Sequence, residues 1–358
     1  MPNISGEKNR PFYKRWKAGL SLLVAACFTG ALFWYLFRTT TLDDWLNLYR
    51  GLHWGWLAGF LVLFLGSMLL KALRYQLLLA ASSLEKPPPF MGLVAVTFVS
   101  NLFVDLLPAR SGSLAYILFL NRKLAVGLPA CFSSFAFSFI FDLIGMLPLL
   151  FLAIVLHGLA AGEQAPLLWV LLGVLAVIAL LALYLLEKVL AMIARLAAWL
   201  ALRLPGKAVA WARRVAEELA AMALDVGRVK SRGVYGRVLW VSVAIRALKY
   251  LGLYLLVAGL AAQWPDQATH LTFPLVLFAL VAAEATASLP ISGLAGFGAY
   301  EGVMMATLRG AGLAATQAAL IPFGLHLLTQ VIDYSLGGLA LAALSLIKPR
   351  ESDHEGKA

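Results

Sequence analysis

Charge is what this 358-residue sequence has least of: 13% of its residues are Asp, Glu, Lys or Arg, while 62% are hydrophobic and the mean hydropathy is +0.86. A soluble domain carries about 25% charged residues, so a water-facing surface cannot be built from this material. Acids are scarcer than bases, 18 against 29, which leaves a net charge of +11. The bases flank apolar runs and form no solvated, aromatic-interleaved patch, so anionic membrane headgroups are the expected partner and nucleic acid is excluded. Cysteine is nearly absent. Cys27 and Cys131 both lie in apolar runs, which rules out a disulfide framework or a zinc site built on cysteine. Catalytic signatures are missing too: there is no H-E-x-x-H, no Walker loop and no paired metal-ligand spacing, so no catalytic residue, metal or cofactor is expected. Gly296-Phe297-Gly298 follows no strand and reads as a helix breaker, not a nucleotide loop.

What is present is long apolar sequence. A spanning helix needs about 20 apolar residues, and runs of that kind occupy 18–37, 54–81, 129–156, 166–186, 238–262 and 314–347. The first follows Lys8, Arg10, Lys14, Arg15 and Lys17, which mimics a signal peptide, and Val24-Ala25-Ala26-Cys27 loosely resembles a lipoprotein box. The apolar run continues past Cys27 with no later small-residue cleavage site, so it is read as a retained first helix. Shorter pieces lie at 89–107, 113–121, 272–289 and 292–308. They meet at Pro108-Ala109-Arg110-Ser111-Gly112 and at Leu289-Pro290-Ile291-Ser292-Gly293. Proline removes an amide donor and glycine frees the backbone, so these are breaks in helix.

Charge bias sets the expected topology. The stretch 187–237 has ten Lys and Arg residues against four acids, and the N-terminus is also basic, which predicts that both are cytoplasmic. An even number of crossings must then fall between residues 82 and 128. Residues 113–121 are too short to cross, rising about 14 Å. The segment 89–121 is therefore expected to be a re-entrant hairpin, and 272–308 a second one entering from the outer face. Residues 187–235, rich in Ala, Leu and Arg, read as an amphipathic helix along the cytoplasmic interface, with a basic solvated linker as the alternative.

An internal repeat supports this layout. Leu70-Lys71-Ala72-Leu73-Arg74-Tyr75 recurs as Ile245-Arg246-Ala247-Leu248-Lys249-Tyr250, with the two bases exchanged. Leu107-Pro108-Ala109-Arg110-Ser111-Gly112 is answered by Leu289-Pro290-Ile291-Ser292-Gly293, and Phe141-Asp142-Leu143-Ile144-Gly145 by Ile332-Asp333-Tyr334-Ser335-Leu336-Gly337. The three matches keep their order at separations of 175, 182 and 191 residues. The predicted fold is thus an all-α polytopic membrane protein, an inverted repeat of helix–re-entrant hairpin–helix units, with about six full spans plus two re-entrant hairpins. Its parts are a cytoplasmic basic N-terminus (1–17), one transmembrane domain (18–347) and a cytoplasmic tail (348–358). Within the domain, repeat 1 covers about 51–157, the linker about 187–236 and repeat 2 about 237–347. Inverted repeats with broken helices are a transporter design, because irregular backbone at membrane depth survives only when buried in protein or lining a wet cavity.

Ionisable residues inside the apolar runs mark the candidate site. Each costs about 2.5–3.5 kcal/mol or more near the bilayer centre, so these groups must pair or face a polar cavity. Arg74, Arg110, Arg246 and Lys249 are candidate headgroup ligands, since guanidinium and ammonium groups hold phosphate; Ser111 and the backbone at Gly112 add donors. Asn101 is a further candidate, though an amide in a spanning helix can hydrogen-bond between helices and packing is its default role. Glu301 could hold a cationic headgroup or a coupling proton, or simply satisfy Arg246 or Lys249. Structural or charge-pairing roles are expected for Lys71, Asp105, Asp142, Glu284 and Asp333, and helix-breaking roles for Pro108, Pro290, Gly296 and Gly298. His326, alone in the last helix, is expected to pack or to bond between helices.

At Ala72-Leu73-Arg74, Asn101, Pro108, Arg110, Gly112, Arg122 and Asp142, and at Gly296, Gly298, Glu301 and Asp333, the chain resembles the lysylphosphatidylglycerol synthase transmembrane-region family, also called flippase-like domain proteins. The spaced N…P-x-R-x-G block is the distinctive part, and Arg122 joins the candidate binding residues through it. Where the family pattern has an acid shortly after that glycine, this sequence has Ser113. The resemblance implies a multi-pass domain of a prokaryotic cytoplasmic membrane, with both termini cytoplasmic, that translocates modified lipids. In fused members a cytosolic domain makes the lipid; the sequence ends at Ala358 with no such domain, so synthesis is not expected. The expected function is a lipid flippase-like transporter for an anionic or modified (glyco)phospholipid or a polyprenyl-linked lipid. The alternatives are an intramembrane lipid-modifying enzyme and a non-transporting partner of a lipid synthase or glycosyltransferase. Self-association as a homo-oligomer stays open.

Overall fold

A computed structural model describes residues 29–84, 86–106, 112, 114–161, 166–203, 207–287 and 297–346. Thirteen helices occur among them, with no strand. Helix α1 is described over 29–39; α2 spans Leu42–Arg50, α3 Trp54–Ala80, α4 Phe90–Leu106, α5 Ala115–Leu124, α6 Leu128–Ala161 and α7 Pro166–Ala201. They are followed by α8 Lys207–Ser231, α9 Tyr235–Ala261, α10 Pro265–Ala268, α11 Phe273–Ala287, α12 Ala299–Gly310 and α13 Ala315–Leu346. Five of these, α3, α6, α7, α9 and α13, are long and apolar enough to cross a membrane. In hydrocarbon a backbone must satisfy its own N–H and C=O groups, and apolar runs of this length do so as helices. Much of the first apolar run lies outside the described residues, as do Pro108, Arg110, Ser111, Pro290 and Gly296.

The centre of the bundle is the crossing of α3 and α9. Lipid tails are as apolar as leucine, so close packing has to hold such a pair together, and small residues permit it. Gly59 faces Leu255, Gly66 faces Leu248, and Gly252 faces Phe60 and Leu63. The contacts rise along α3 as they fall along α9, so the two helices run antiparallel. Around this pair, α4 packs on α13 and α11 on α6, while α4 with α5 and α11 with α12 form two helical hairpins. Gly337 of α13 is pressed against α4, where an added Cβ would come within 2.5 Å of Leu102 Cβ. Beyond the first break the chain returns to α4: a Cβ on Gly112 would meet the Phe103 carbonyl oxygen at 1.7 Å.

The expected amphipathic helix over 187–235 is two helices. Helix α7 continues to Ala201, and α8 folds back along α7 and α6. The reason is a seam of small residues: Ala194 and Ala201 on α7 and Ala212, Ala216 and Ala223 on α8 are all buried, with Leu190 beside them. Alanine on both faces lets the helices approach closely, which outweighs lying separately on the interface. Asp225 of α8, 2% exposed, accepts a 2.7 Å bond from the Ser83 amide and another from the Ser133 hydroxyl, fastening α8 to the end of α3 and to α6.

Candidate functional site

Helices α3, α4, α6, α9 and α11–α13 enclose a cavity of about 360 Å³. Four bases line it, Lys71 and Arg74 from α3 and Arg246 and Lys249 from α9, with four acids, Asp105, Asp142, Glu284 and Asp333. His326 and Gln330 from α13 add polar groups, and Phe60, Phe64, Phe135, Phe139 and Leu253 make an apolar wall. The bases come from the repeated six-residue motif. Its i, i+3 spacing puts both bases of each helix on one face, and the antiparallel crossing turns the two faces into one space.

Most of this charge is neutralised in a chain of ion pairs. Asp142 takes two bonds from Arg74, Nη1 at 2.9 Å and Nη2 at 3.3 Å, and Arg246 Nε stands 3.4 Å from it. Arg246 Nη1 reaches Glu284 at 3.2 Å, and Lys249 Nζ lies 2.9 Å from both oxygens of the same carboxylate. The Tyr250 hydroxyl donates to Glu284 at 2.9 Å, and Arg74 Nη1 also donates to Ser242 Oγ at 3.0 Å. Arg74 is 1% exposed, yet its Nε has no hydrogen-bond partner. A buried ion pair of this kind withstands desolvation only with such geometry on both partners.

Lys71 stands apart. Its Nζ lies 3.4 Å from Asn101 Oδ1 and 3.9 Å from Met68 Sδ, and among the described residues it makes no ion pair within 4 Å. Asn101 in turn donates to Asp333 Oδ1 at 2.7 Å, and Asp333 contacts the Asp105 carboxyl. One face of the cavity therefore carries a cation whose direct contacts are neutral groups, with Asp333 and Asp105 behind Asn101.

The sequence reading is redistributed by this geometry. Arg74, expected as a headgroup ligand, is committed to Asp142; Lys71, expected in a charge pair, is the base without one. Arg246 and Lys249 line the cavity as expected, but they are satisfied by Glu284, not by Glu301. Glu301 is fully buried, bonded to His326 Nδ1, and accepts a 2.7 Å bond from the Gly298 amide at the start of α12. His326 has the interhelical role expected of it, between the rings of Phe297 and Tyr300 at 4.5 and 5.6 Å. Arg122 is exposed in the last turn of α5 and does not line the cavity. Arg110 and Ser111 lie outside the described residues. Sequence reasoning missed Ser242, Gln330 and the aromatic wall; Ser242 carries no periodic signal, while Tyr250 was visible only as part of the repeated motif.

A bundle of long apolar helices around a charge-lined cavity defines a multi-pass membrane protein. The chain belongs to the family described as the lysylphosphatidylglycerol synthase TM region, whose model matches residues 20–337, nearly its whole length. Neither the curated proteins nor the solved structures give a match.

Proposed function

We propose that this protein is a flippase-like transporter, not an enzyme, and that it translocates an anionic or modified (glyco)phospholipid or a polyprenyl-linked lipid across the cytoplasmic membrane of a prokaryote. The observation that carries this reading is Lys71: a cation on a cavity wall whose other three bases are ion-paired. No carboxylate contacts it directly among the described residues, and a phosphate entering the cavity would supply the direct ion pair it lacks. Membership of a lipid-associated membrane family agrees with a lipid as the cargo.

The inverted repeat belongs to the same proposal. If α3, α4, α5 and α6 correspond to α9, α11, α12 and α13, exchanging the two sets turns the α4–α13 contact into the α11–α6 contact and each hairpin into the other. Antiparallel packing of α3 on α9 is what opposite insertion of the two units requires. The point at which a helix meets its own counterpart falls near Leu70 and Ile245, beside Lys71 and Arg246. In this reading α4–α5 and α11–α12 are re-entrant, both termini are cytoplasmic, and the units rock about that point to expose the cavity to either face.

The test is reconstitution into liposomes with fluorescent phosphatidylglycerol and a membrane-impermeant quencher. Wild-type protein should move the lipid between leaflets, and Lys71→Gln should slow it at least tenfold. Equal rates for the two proteins would show that Lys71 takes no part in moving the lipid. No movement by wild type of any anionic lipid, with a chemically altered lipid recovered instead, would make the protein an enzyme.

A further inference from the structure

A second space adjoins the charged cavity. Between α6 and α7 lies a groove of about 490 Å³, bounded by Phe132, Phe135, Ala136 and Phe139 on one side and Leu181 and Leu185 among others on the other. Its lining is wholly apolar in residue type. The α6 residues recur at the three- and four-residue steps of one helical face, and the α7 residues do the same, so the groove is a built seam between two facing stripes. It is open outward: Phe139 is 58%, Leu181 50% and Leu185 38% exposed. Two side chains, Phe135 and Phe139, border both this groove and the charged cavity. The two spaces are therefore neighbours across a pair of phenyl rings, one lined by charge and one by hydrocarbon.

We infer that the α6–α7 groove is a binding site for a hydrocarbon chain of the same amphiphile whose polar end occupies the charged cavity, with Phe135 and Phe139 at the junction of headgroup and chain. This rests on the transport reading and sharpens it: the chain is held by the protein during binding, not left in bulk lipid. A bare phosphate or a free headgroup would leave the groove unused, and a hydrocarbon without a charged end would leave Lys71 unmatched. Only a molecule with both parts uses both spaces. A phenyl ring at the boundary suits this, presenting an apolar face to the chain and its polarised edge or face to the headgroup.

The experiment uses the full chain in liposomes with a phosphatidylglycerol that carries a diazirine near the end of one acyl chain. After photolysis, label on residues 132–140 and 181–189 should be competed by excess unlabelled phosphatidylglycerol and reduced several-fold by Lys71→Gln. Label on the exposed faces at Val62 and Leu339, which see annular lipid, should respond to neither. Uniform labelling of all these faces, insensitive to both treatments, overturns the inference. In a second arm, Ala136→Phe with Ala182→Phe fills the groove without touching a charged residue. Movement of dioleoyl phosphatidylglycerol should fall about tenfold while movement of the dihexanoyl lipid is retained; equal effects on both chain lengths overturn the inference. Wild type that labels saturably in the groove but moves no lipid would retain the chain site and refute the transport reading, so the two failures are distinguishable.

Discussion

Removing the carboxylate of Asp142 tests the ion-pair chain most directly. In Asp142→Ala, Arg74 loses both bonds to the carboxylate and keeps Ser242 at 3.0 Å and the Tyr75 ring at 5.9 Å, neither of them charged, in a position 1% exposed. Arg246 is less affected, because Glu284 still holds it at 3.2 Å. Breaking a buried pair by deleting one partner costs about 3–5 kcal/mol, since the remaining charge is left uncompensated. Asp142 itself is 26% exposed, which puts the expectation at the lower end, about 3 kcal/mol. Replacing the guanidinium as well should recover most of that: Arg74→Met fills similar space without charge, and apolar replacement of a buried pair is often neutral or stabilising. Unfolding in mixed micelles, followed by tryptophan fluorescence for wild type, both single variants and the double variant, gives the coupling energy. The double variant should lie within about 1 kcal/mol of wild type, and the coupling should exceed about 2 kcal/mol. If Asp142→Ala alone is within about 0.5 kcal/mol of wild type, or the double variant is the least stable of the four, the pair does not carry the energy argued here.

Lys71→Gln should leave unfolding nearly unchanged, since no ion pair is lost, while lowering lipid movement at least tenfold; a variant that is unstable and transports normally would contradict both halves. Gly337→Ala places a Cβ 2.5 Å from that of Leu102 and should destabilise by about 1–3 kcal/mol through overpacking, read in the same unfolding assay. Asp225→Ala removes the acceptor shared by the Ser83 amide and the Ser133 hydroxyl. It should free α8, so that trypsin cuts at Arg228 and Lys230 at least several-fold faster than in wild type while the bundle stays intact.

The long helices were legible because their signal is one-dimensional: twenty apolar residues in a row can do little else in a bilayer. The repeated motif at Lys71 and Arg246 was legible for a related reason, as an i, i+3 pair in apolar context has to meet something polar. What could not be read was which acid answers which base. Glu284 and Glu301 both sit in apolar sequence of the second half, and only the packing of α11 against α9, and of α12 against α13, gives the first to Arg246 and the second to His326. The exchange of roles between Lys71 and Arg74 has the same origin. They are three residues apart on one helix, and a small rotation decides which one reaches Asp142. The end of α7 is hidden in the sequence because charge entering an apolar run looks like its termination, whereas an alanine face can carry a helix on against a partner.

The length of α7 has a consequence for how the molecule sits. Thirty-six residues rise about 54 Å, and even at a tilt of 40°, the upper end of what spanning helices adopt, about 41 Å would still be projected on the bilayer normal. A hydrocarbon slab is about 30 Å thick, so roughly two turns or more must stand outside it at any allowed inclination. At the C-terminal end those turns carry Arg195 and exposed Trp199, with exposed Leu202 and Arg203 just past the helix and α8 packed along it. The pair is thus expected to reach beyond the hydrocarbon as a ledge whose tryptophan and arginines suit the headgroup layer, a foothold that would set the height of the bundle in the bilayer.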